Sequence, residues 1–133
     1  MQKTFIIAEA GVNHNGSFKI ATNMIDVAKE SGADAIKFQT WKTEALMKKD
    51  TKLANYQKKN VGNFKSQYEM AKNLELSYQE FRRLKNYCDK KKILFLSTPD
   101  EPRSAKFLNE LQDIFKIGSG EITNLPFLSL IGS

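Results

Sequence analysis

A parallel α/β fold is predicted by two features of the sequence. Short apolar runs at Thr4–Ala10, Ala35–Thr40, Ile93–Thr98 and Ile114–Ile117 have the length and composition of strands, and segments of helical period separate them. The polar residues of these runs gather at the ends nearest the following loops. A parallel sheet would carry those ends to one edge.

The first run, Thr4-Phe5-Ile6-Ile7-Ala8-Glu9-Ala10, is continuously apolar until Glu9, the mark of a strand covered on both faces. Gly11-Val12-Asn13-His14-Asn15-Gly16 reads as a loop, and Ser17 as the N-cap of a helix whose apolar positions are Ala21, Met24, Ile25 and Ala28. Gly32 stops that helix, and Ala35-Ile36-Lys37-Phe38-Gln39-Thr40 is the second strand. This β-loop-α-β unit calls for a right-handed crossover. From Trp41 to about Lys65 the chain is polar and lysine-rich, too long for a plain connection, and reads as an excursion or lid. Ser66-Gln67-Tyr68-Glu69 and Ser77-Tyr78-Gln79-Glu80 both have the Ser-x-x-Glu form of a capping box. The second opens a helix with Phe81, Leu84 and Cys88 on one face. The third strand closes at Pro99 and Pro102, and a helix from about Ser104 to Leu111 leads to a fourth strand at Ile114–Ile117. An apolar segment from Leu125 to Ile131 follows it.

The 133 residues, 41% of them hydrophobic, suffice for one core. No apolar run is long enough to span a membrane and the first residues lack the pattern of a signal peptide, so a soluble, cytoplasmic protein without a membrane partner is expected. The net charge of +6 suits acidic partners. That excess lies in two clusters, Lys42, Lys48, Lys49, Lys52, Lys58, Lys59 and Lys65, then Arg82, Arg83, Lys85, Lys90, Lys91 and Lys92. The second interleaves with a helix's apolar positions and reads as a solvated face. No zinc-finger spacing, aromatic RNA-binding signature or recognition-helix pattern is present, which argues against nucleic acid. The single cysteine, Cys88, reads as a buried core thiol.

Candidate functional residues lie at the strand ends: Glu9, Lys37 with Gln39, Ser97 with Thr98, and Lys116 with Ser119. In Ile114-Phe115-Lys116-Ile117-Gly118-Ser119-Gly120-Glu121 a lysine precedes a small-residue loop, which can bring an ammonium and backbone N–H groups to one point. That is the outline of a phosphate or carboxylate site, although Gly-Ser-Gly is also an ordinary turn. Glu9 and Lys37 read either as a structural ion pair or as a catalytic pair. Lys116 reads as an anion contact or as a Schiff-base lysine. His14, the only histidine, fixes its loop by hydrogen bonds or contributes to a metal site, and one histidine cannot form such a site alone.

Four motifs, Ile7–Gly16, Gly32–Thr40, Phe95–Pro99 and Phe115–Asn124, resemble in order and spacing those of the sialic acid synthases. The resemblance covers essentially the whole chain. It implies a (β/α)8 TIM barrel that condenses phosphoenolpyruvate with an N-acetylated amino sugar such as N-acetylmannosamine, releasing phosphate. Related members make legionaminic or pseudaminic acid. It also implies a divalent metal, manganese or magnesium, that activates the sugar aldehyde, and a homodimer at full length. By the resemblance, Glu9 is the acidic residue at the reacting centre, and Lys37, Thr98, Lys116 and Ser119 are phosphoenolpyruvate contacts. Gln39 is a sugar or active-site contact, and Glu121 belongs to the Gly-Ser-Gly-Glu motif.

Two departures qualify the picture. Asp100 stands where the family usually has an aromatic after Ser97-Thr98-Pro99. The chain ends after the expected fourth strand and its helix, so residues 1–133 are expected to be the first half of the barrel, with the metal ligands and the family's C-terminal antifreeze-like domain outside this chain. The isolated chain is expected to be inactive as a synthase. The alternatives are a non-catalytic half-barrel that pairs with another chain and a Schiff-base aldolase using Lys116.

Overall fold

Hydrogen-bond pairing, which the sequence alone does not specify, decides which apolar runs become strands. The computed structural model describes residues 3–52, 64 and 66–133. It contains β1 (Ile7–Gly11), α1 (Phe18–Glu30), β2 (Ala35–Thr40), α2 (Thr43–Leu46), α3 (Gln67–Leu74), α4 (Tyr78–Lys91), β3 (Leu94–Pro99), α5 (Pro102–Leu108), a 3₁₀ turn (Ser119–Glu121) and α6 (Leu125–Gly132). The strands form one parallel sheet in the order β1-β2-β3. Leu53, Tyr56, Lys58, Lys59 and Lys65, within the expected excursion, lie outside the described residues.

One face of the sheet is covered by helices. Ala10 of β1, Ile36 and Phe38 of β2 and Phe95 of β3 share a buried cluster with Ala21, Ile25 and Ala28 of α1 and Phe81, Leu84 and Cys88 of α4. Phe38 stacks near Phe95 at 6.0 Å, and Phe81 meets Phe95 edge-on at 6.5 Å. Each fully buried side chain of this size contributes roughly 1.5–3 kcal/mol, which makes this layer the main source of cohesion. Asp26 of α1 adds a polar tie, accepting from the Tyr87 hydroxyl at 2.9 Å and pairing with Lys91 at 2.6 Å.

The expected caps form. Ser17 accepts from the Ile20 N–H, Ser66 from the Glu69 N–H, and Ser77 with Glu80 completes a reciprocal capping box. α5 begins at Pro102, slightly before its expected start, because the buried Glu101 carboxylate accepts from the Arg103 N–H, the Ser104 N–H and the Ser104 hydroxyl.

Two expectations are corrected. Ile114–Ile117 is not a strand: the sheet stops at β3, and the side-chain amide of Gln112 occupies part of its free edge. Gln112 Oε1 accepts from the Ser97 N–H at 2.6 Å, while its Nε2 donates to the Ser97 and Ile114 carbonyls, each at 2.9 Å. A side chain thereby satisfies backbone groups that a paired strand would otherwise engage. Nor is the first apolar run covered on both faces. Phe5, Ile6 and Ile7 are exposed, Phe5 to 54%, and among the described residues β1 is an edge strand paired only with β2. Beside it, Ile6, Ala8, Ile20, Met24 and Val27 line an open groove of about 450 Å³.

Candidate functional site

Side-chain alternation sorts the strand residues between the two faces. Ile36, Phe38 and Phe95 face the helices, so Lys37, Gln39, Leu96 and Thr98 take the opposite face. The parallel register sets Glu9 beside Lys37 and Gln39 beside Thr98. Glu9, Lys37, Gln39 and Thr98 therefore meet on one face, near the carboxyl ends, whereas Ser97 turns to the helix side.

Lys37 is the centre of the group. Its side chain is 8% exposed, and its ammonium lies 2.6 Å from Glu9 Oε2. It also donates to Thr98 Oγ1 at 3.3 Å. The Glu9 side chain is 56% exposed, so a buried cation is matched by an open carboxylate. Burying an ammonium is costly unless it is paired, which accounts for Lys37 reaching both partners.

A bulge aims Glu9. The register shifts between Glu9 and Gly11, and Gly11 has a φ of 52°, the left-handed region that glycine enters without a steric penalty. A methyl group at Gly11 would sit 3.4 Å from Glu9 Oε1 and 3.9 Å from Gln39 Oε1, so both side chains converge over this point. On the helix-facing side, Thr40 Oγ1 and Ser97 Oγ lie 2.7 Å apart and fasten β2 to β3 beneath the site.

The segment after α5 closes one side. A methyl group at Gly118 would lie 3.9 Å from Thr98 Cγ2, which places the Gly-Ser-Gly loop against β3. Lys116 is exposed, and Ser119 is exposed at the start of the 3₁₀ turn, outside the Glu9–Lys37–Thr98 contacts. Glu121 accepts from the Asn124 side-chain amide at 2.6 Å, which braces the turn.

Asp100 belongs to this group, although residue patterning marked it only as a departure. Its N–H extends the ladder by donating to the Thr40 carbonyl at 3.0 Å. Burial pushes its carboxyl up to about 6, Glu121 and Glu101 push the same way, and Lys37 and Lys116 oppose them. That set of neighbours places Lys116 and Glu121 within electrostatic reach of Lys37's face of the sheet.

The loop after β1 is held by His14, which is buried. Its Nδ1 accepts from the Gly16 N–H at 3.1 Å, as the loop-fixing reading requires, and Nε2 has no hydrogen-bond partner among the described residues. Burial holds the imidazole below its ordinary pKa, against the attraction of Glu80. Gly16, at a φ of 72°, meets α3 so closely that an added methyl would lie 2.2 Å from the Asn73 carbonyl oxygen.

Sequence reasoning missed Glu75, which secures the segment leaving β2. Its carboxylate accepts from Lys42 at 2.9 Å, from the Thr43 N–H at 2.9 Å and from the Thr43 hydroxyl at 2.8 Å. Nothing in the Glu75 sequence context signals these partners, which lie more than thirty residues earlier. As for a metal, no group of three or more His, Cys, Asp or Glu side chains among the described residues is placed to hold one.

A parallel α/β sheet with charged groups gathered at the carboxyl ends of its strands is an α/β protein with its polar site where such folds bind ligands. The chain belongs to the NeuB family, whose model matches residues 24–133. It is 48% identical over 132 residues to an N,N'-diacetyllegionaminic acid synthase from Campylobacter jejuni, covering 98% of this chain and 40% of that protein. It is 37% identical over 125 residues to the human N-acetylneuraminate-9-phosphate synthase, covering 93% of this chain and 34% of that one. Among solved structures, an N-acetylneuraminic acid (sialic acid) synthetase from Leptospira borgpetersenii, in complex with citrate, matches at a TM-score of 0.75 and 33% identity. That match covers 97% of this chain and 41% of the synthetase. The chain thus spans 34% to 40% of the length of these two curated relatives. No helix among the described residues is long and apolar enough to cross a membrane.

Proposed function

We propose that this chain is the N-terminal part of a synthase that condenses phosphoenolpyruvate with an N-acetylated amino sugar, N-acetylmannosamine or a relative, giving a sialic-acid-type nonulosonate and phosphate. The observation that carries the reading is the buried Lys37 ammonium, held between Glu9 at 2.6 Å and Thr98 at 3.3 Å on the carboxyl side of a parallel sheet. The synthase names of the relatives support it. On this reading the three strands are the first of a (β/α)8 barrel, residues 1–133 form its N-terminal half, and the antifreeze-like domain lies beyond them. The protein acts in the cytoplasm, as a homodimer at full length.

Phosphoenolpyruvate carries a phosphate and a carboxylate, and the roles follow from that charge. Lys37 and Lys116 neutralise it, while the Thr98 and Ser119 hydroxyls donate hydrogen bonds to its oxygens. Gln39, on the same face, serves the sugar, and Glu121 holds the turn that carries Ser119. Glu9, open to solvent and ion-paired with Lys37, is the carboxylate that manages protons at the reacting centre. The divalent metal belongs to the proposal with ligands outside this chain. The donors described here do not fit one, and no role above depends on it.

Nuclear magnetic resonance titration with phosphoenolpyruvate tests the reading. Shifts are expected at residues 37–39, 98–100 and 116–121, and their absence would remove it. The chain alone is expected to release no phosphate from phosphoenolpyruvate with N-acetylmannosamine and manganese, and release that depends on this chain alone would contradict its being a partial enzyme. A second reading, a non-catalytic half-barrel that pairs with another chain, is favoured by the exposed Phe5, Ile6 and Ile7 on the β1 edge. Light scattering separates the two, since a monomer at all concentrations argues against self-pairing. A Schiff-base aldolase gains nothing from Lys116, which is exposed, whereas burial in apolar surroundings is what activates such a lysine. Borohydride trapping with pyruvate would reveal an adduct there.

A further inference from the structure

Among the described residues, Lys37 and Lys116 are cations of the strand edge, and Glu9, Asp100 and Glu121 are carboxyl groups there. Glu9 is engaged by Lys37, and Glu121 by the Asn124 amide. Glu101 is committed to the start of α5 through the N–H groups of Arg103 and Ser104. Asp100 has no such commitment among the described residues, and its backbone is held in the ladder by the Thr40 carbonyl at 3.0 Å. Continuing the alternation of β3 one step past Pro99 puts Asp100 on the face of Leu96 and Thr98, opposite Phe95 and Ser97. That face also carries Lys37 and Gln39.

We propose that Asp100 is a specificity-setting residue of this edge, which couples the binding of a phosphorylated carboxylate to proton uptake. The inference rests on the phosphoenolpyruvate reading above. An ionised Asp100 repels a multiply charged anion brought to Lys37 and Lys116, whereas a protonated one does not and can donate a hydrogen bond to it. The surroundings make the exchange accessible near neutral pH. Burial, Glu121 and Glu101 favour the neutral carboxyl against Lys37 and Lys116 and push it up to about 6. An arriving anion adds negative charge and shifts the balance further towards the neutral form. The proton comes from solvent, and the bound anion raises the fraction of chains whose Asp100 carries it. Monoanions gain less from the coupling than phosphorylated carboxylates, so the effect discriminates by ligand charge.

The test compares phosphoenolpyruvate affinity of the wild-type chain and Asp100→Asn by calorimetry between pH 5 and pH 8. The ligand's own phosphate ionisation is common to both proteins and cancels in their ratio. Equal affinities are expected at pH 5, with Asp100→Asn binding about tenfold tighter at pH 8, the equivalent of a shift of about one pKa unit on binding. A ratio that does not change with pH would overturn the proposal while leaving the phosphoenolpyruvate reading intact. Absence of binding to either protein at every pH would remove both. Asp100→Ser provides a second variant if the asparagine fails to fold. Carbon-13 titration of the Asp100 carboxyl in the wild-type chain provides a measurement that needs no variant: its pKa should rise when phosphoenolpyruvate is added, and an unchanged value with ligand bound contradicts the coupling.

Discussion

Replacing Glu75 by glutamine removes one charge at the joint between β2 and the helices that follow. The wild-type carboxylate is largely buried, 8% exposed by its side chain, and its four donors are Lys42, Lys72, the Thr43 N–H and the Thr43 hydroxyl. Burial opposes its ionisation, but the Thr43 N–H, Lys42 and the Thr43 hydroxyl outweigh burial and bring the carboxyl down to about 2, from an ordinary 4.5. A shift of that size corresponds to about 3 kcal/mol at most, and solvent reaching the half-exposed Lys72 reduces it to about 2 kcal/mol. Because the folded pKa lies below the unfolded one, the contribution is complete above pH 4.5 and is lost as pH falls towards 2. Urea unfolding should therefore show Glu75→Gln less stable than wild type by about 2 kcal/mol at pH 7, with the gap closing near pH 2. Taking the difference between the proteins cancels carboxylates common to both. An equal gap at both pH values would refute the reasoning, since the loss would then not depend on charge.

Two further outcomes are expected. Gly16→Ala should destabilise the chain by about 3 kcal/mol, combining left-handed backbone strain with overpacking against the Asn73 carbonyl, and a thermal melt within a degree of wild type would contradict that geometry. Burial, with Asp89 acting the same way against Lys85, pushes the Cys88 thiol up to about 12. A disulfide reagent at pH 8 should therefore label the native chain roughly a thousandfold more slowly than the urea-unfolded chain, and comparable rates would show that Cys88 of α4 is not packed into the core.

The strands that frame the site were legible because Ala35–Thr40 and Ile93–Thr98 carry apolar runs that end in polar residues, and a parallel sheet turns that pattern into a shared edge. Ile114–Ile117 has the same composition and still forms no strand. Composition expresses a preference for an extended, half-buried backbone, whereas a strand needs a partner's ladder, and Gln112 satisfies the Ser97 groups instead. Likewise the Phe5–Ile7 run states which surface is apolar and not what lies over it. At the site, Glu9, Lys37, Gln39 and Thr98 were marked by their strand-end positions and by the family resemblance, and the Glu9–Lys37–Thr98 contacts follow from their register. Asp100 was visible only as an anomaly of its motif, since its surroundings include Glu121 and Lys116, which come within electrostatic reach of it only in the fold. Glu75 had no local signal, because its partners Lys42 and Thr43 are distant in the chain and adjacent only in the fold.

The central claim is that the buried Lys37 ammonium receives an anion and is not solely the structural partner of Glu9. Phosphoenolpyruvate affinity of Lys37→Met and Glu9→Gln, measured by calorimetry beside wild type, tests it most directly. An anion-receiving lysine loses about tenfold or more in affinity in Lys37→Met, the worth of a charge-assisted hydrogen bond, whereas Glu9→Gln binds at least as tightly as wild type because the ammonium is released. Wild-type affinity in Lys37→Met would contradict the account and leave Glu9 and Lys37 as an ion pair that only holds β1 to β2.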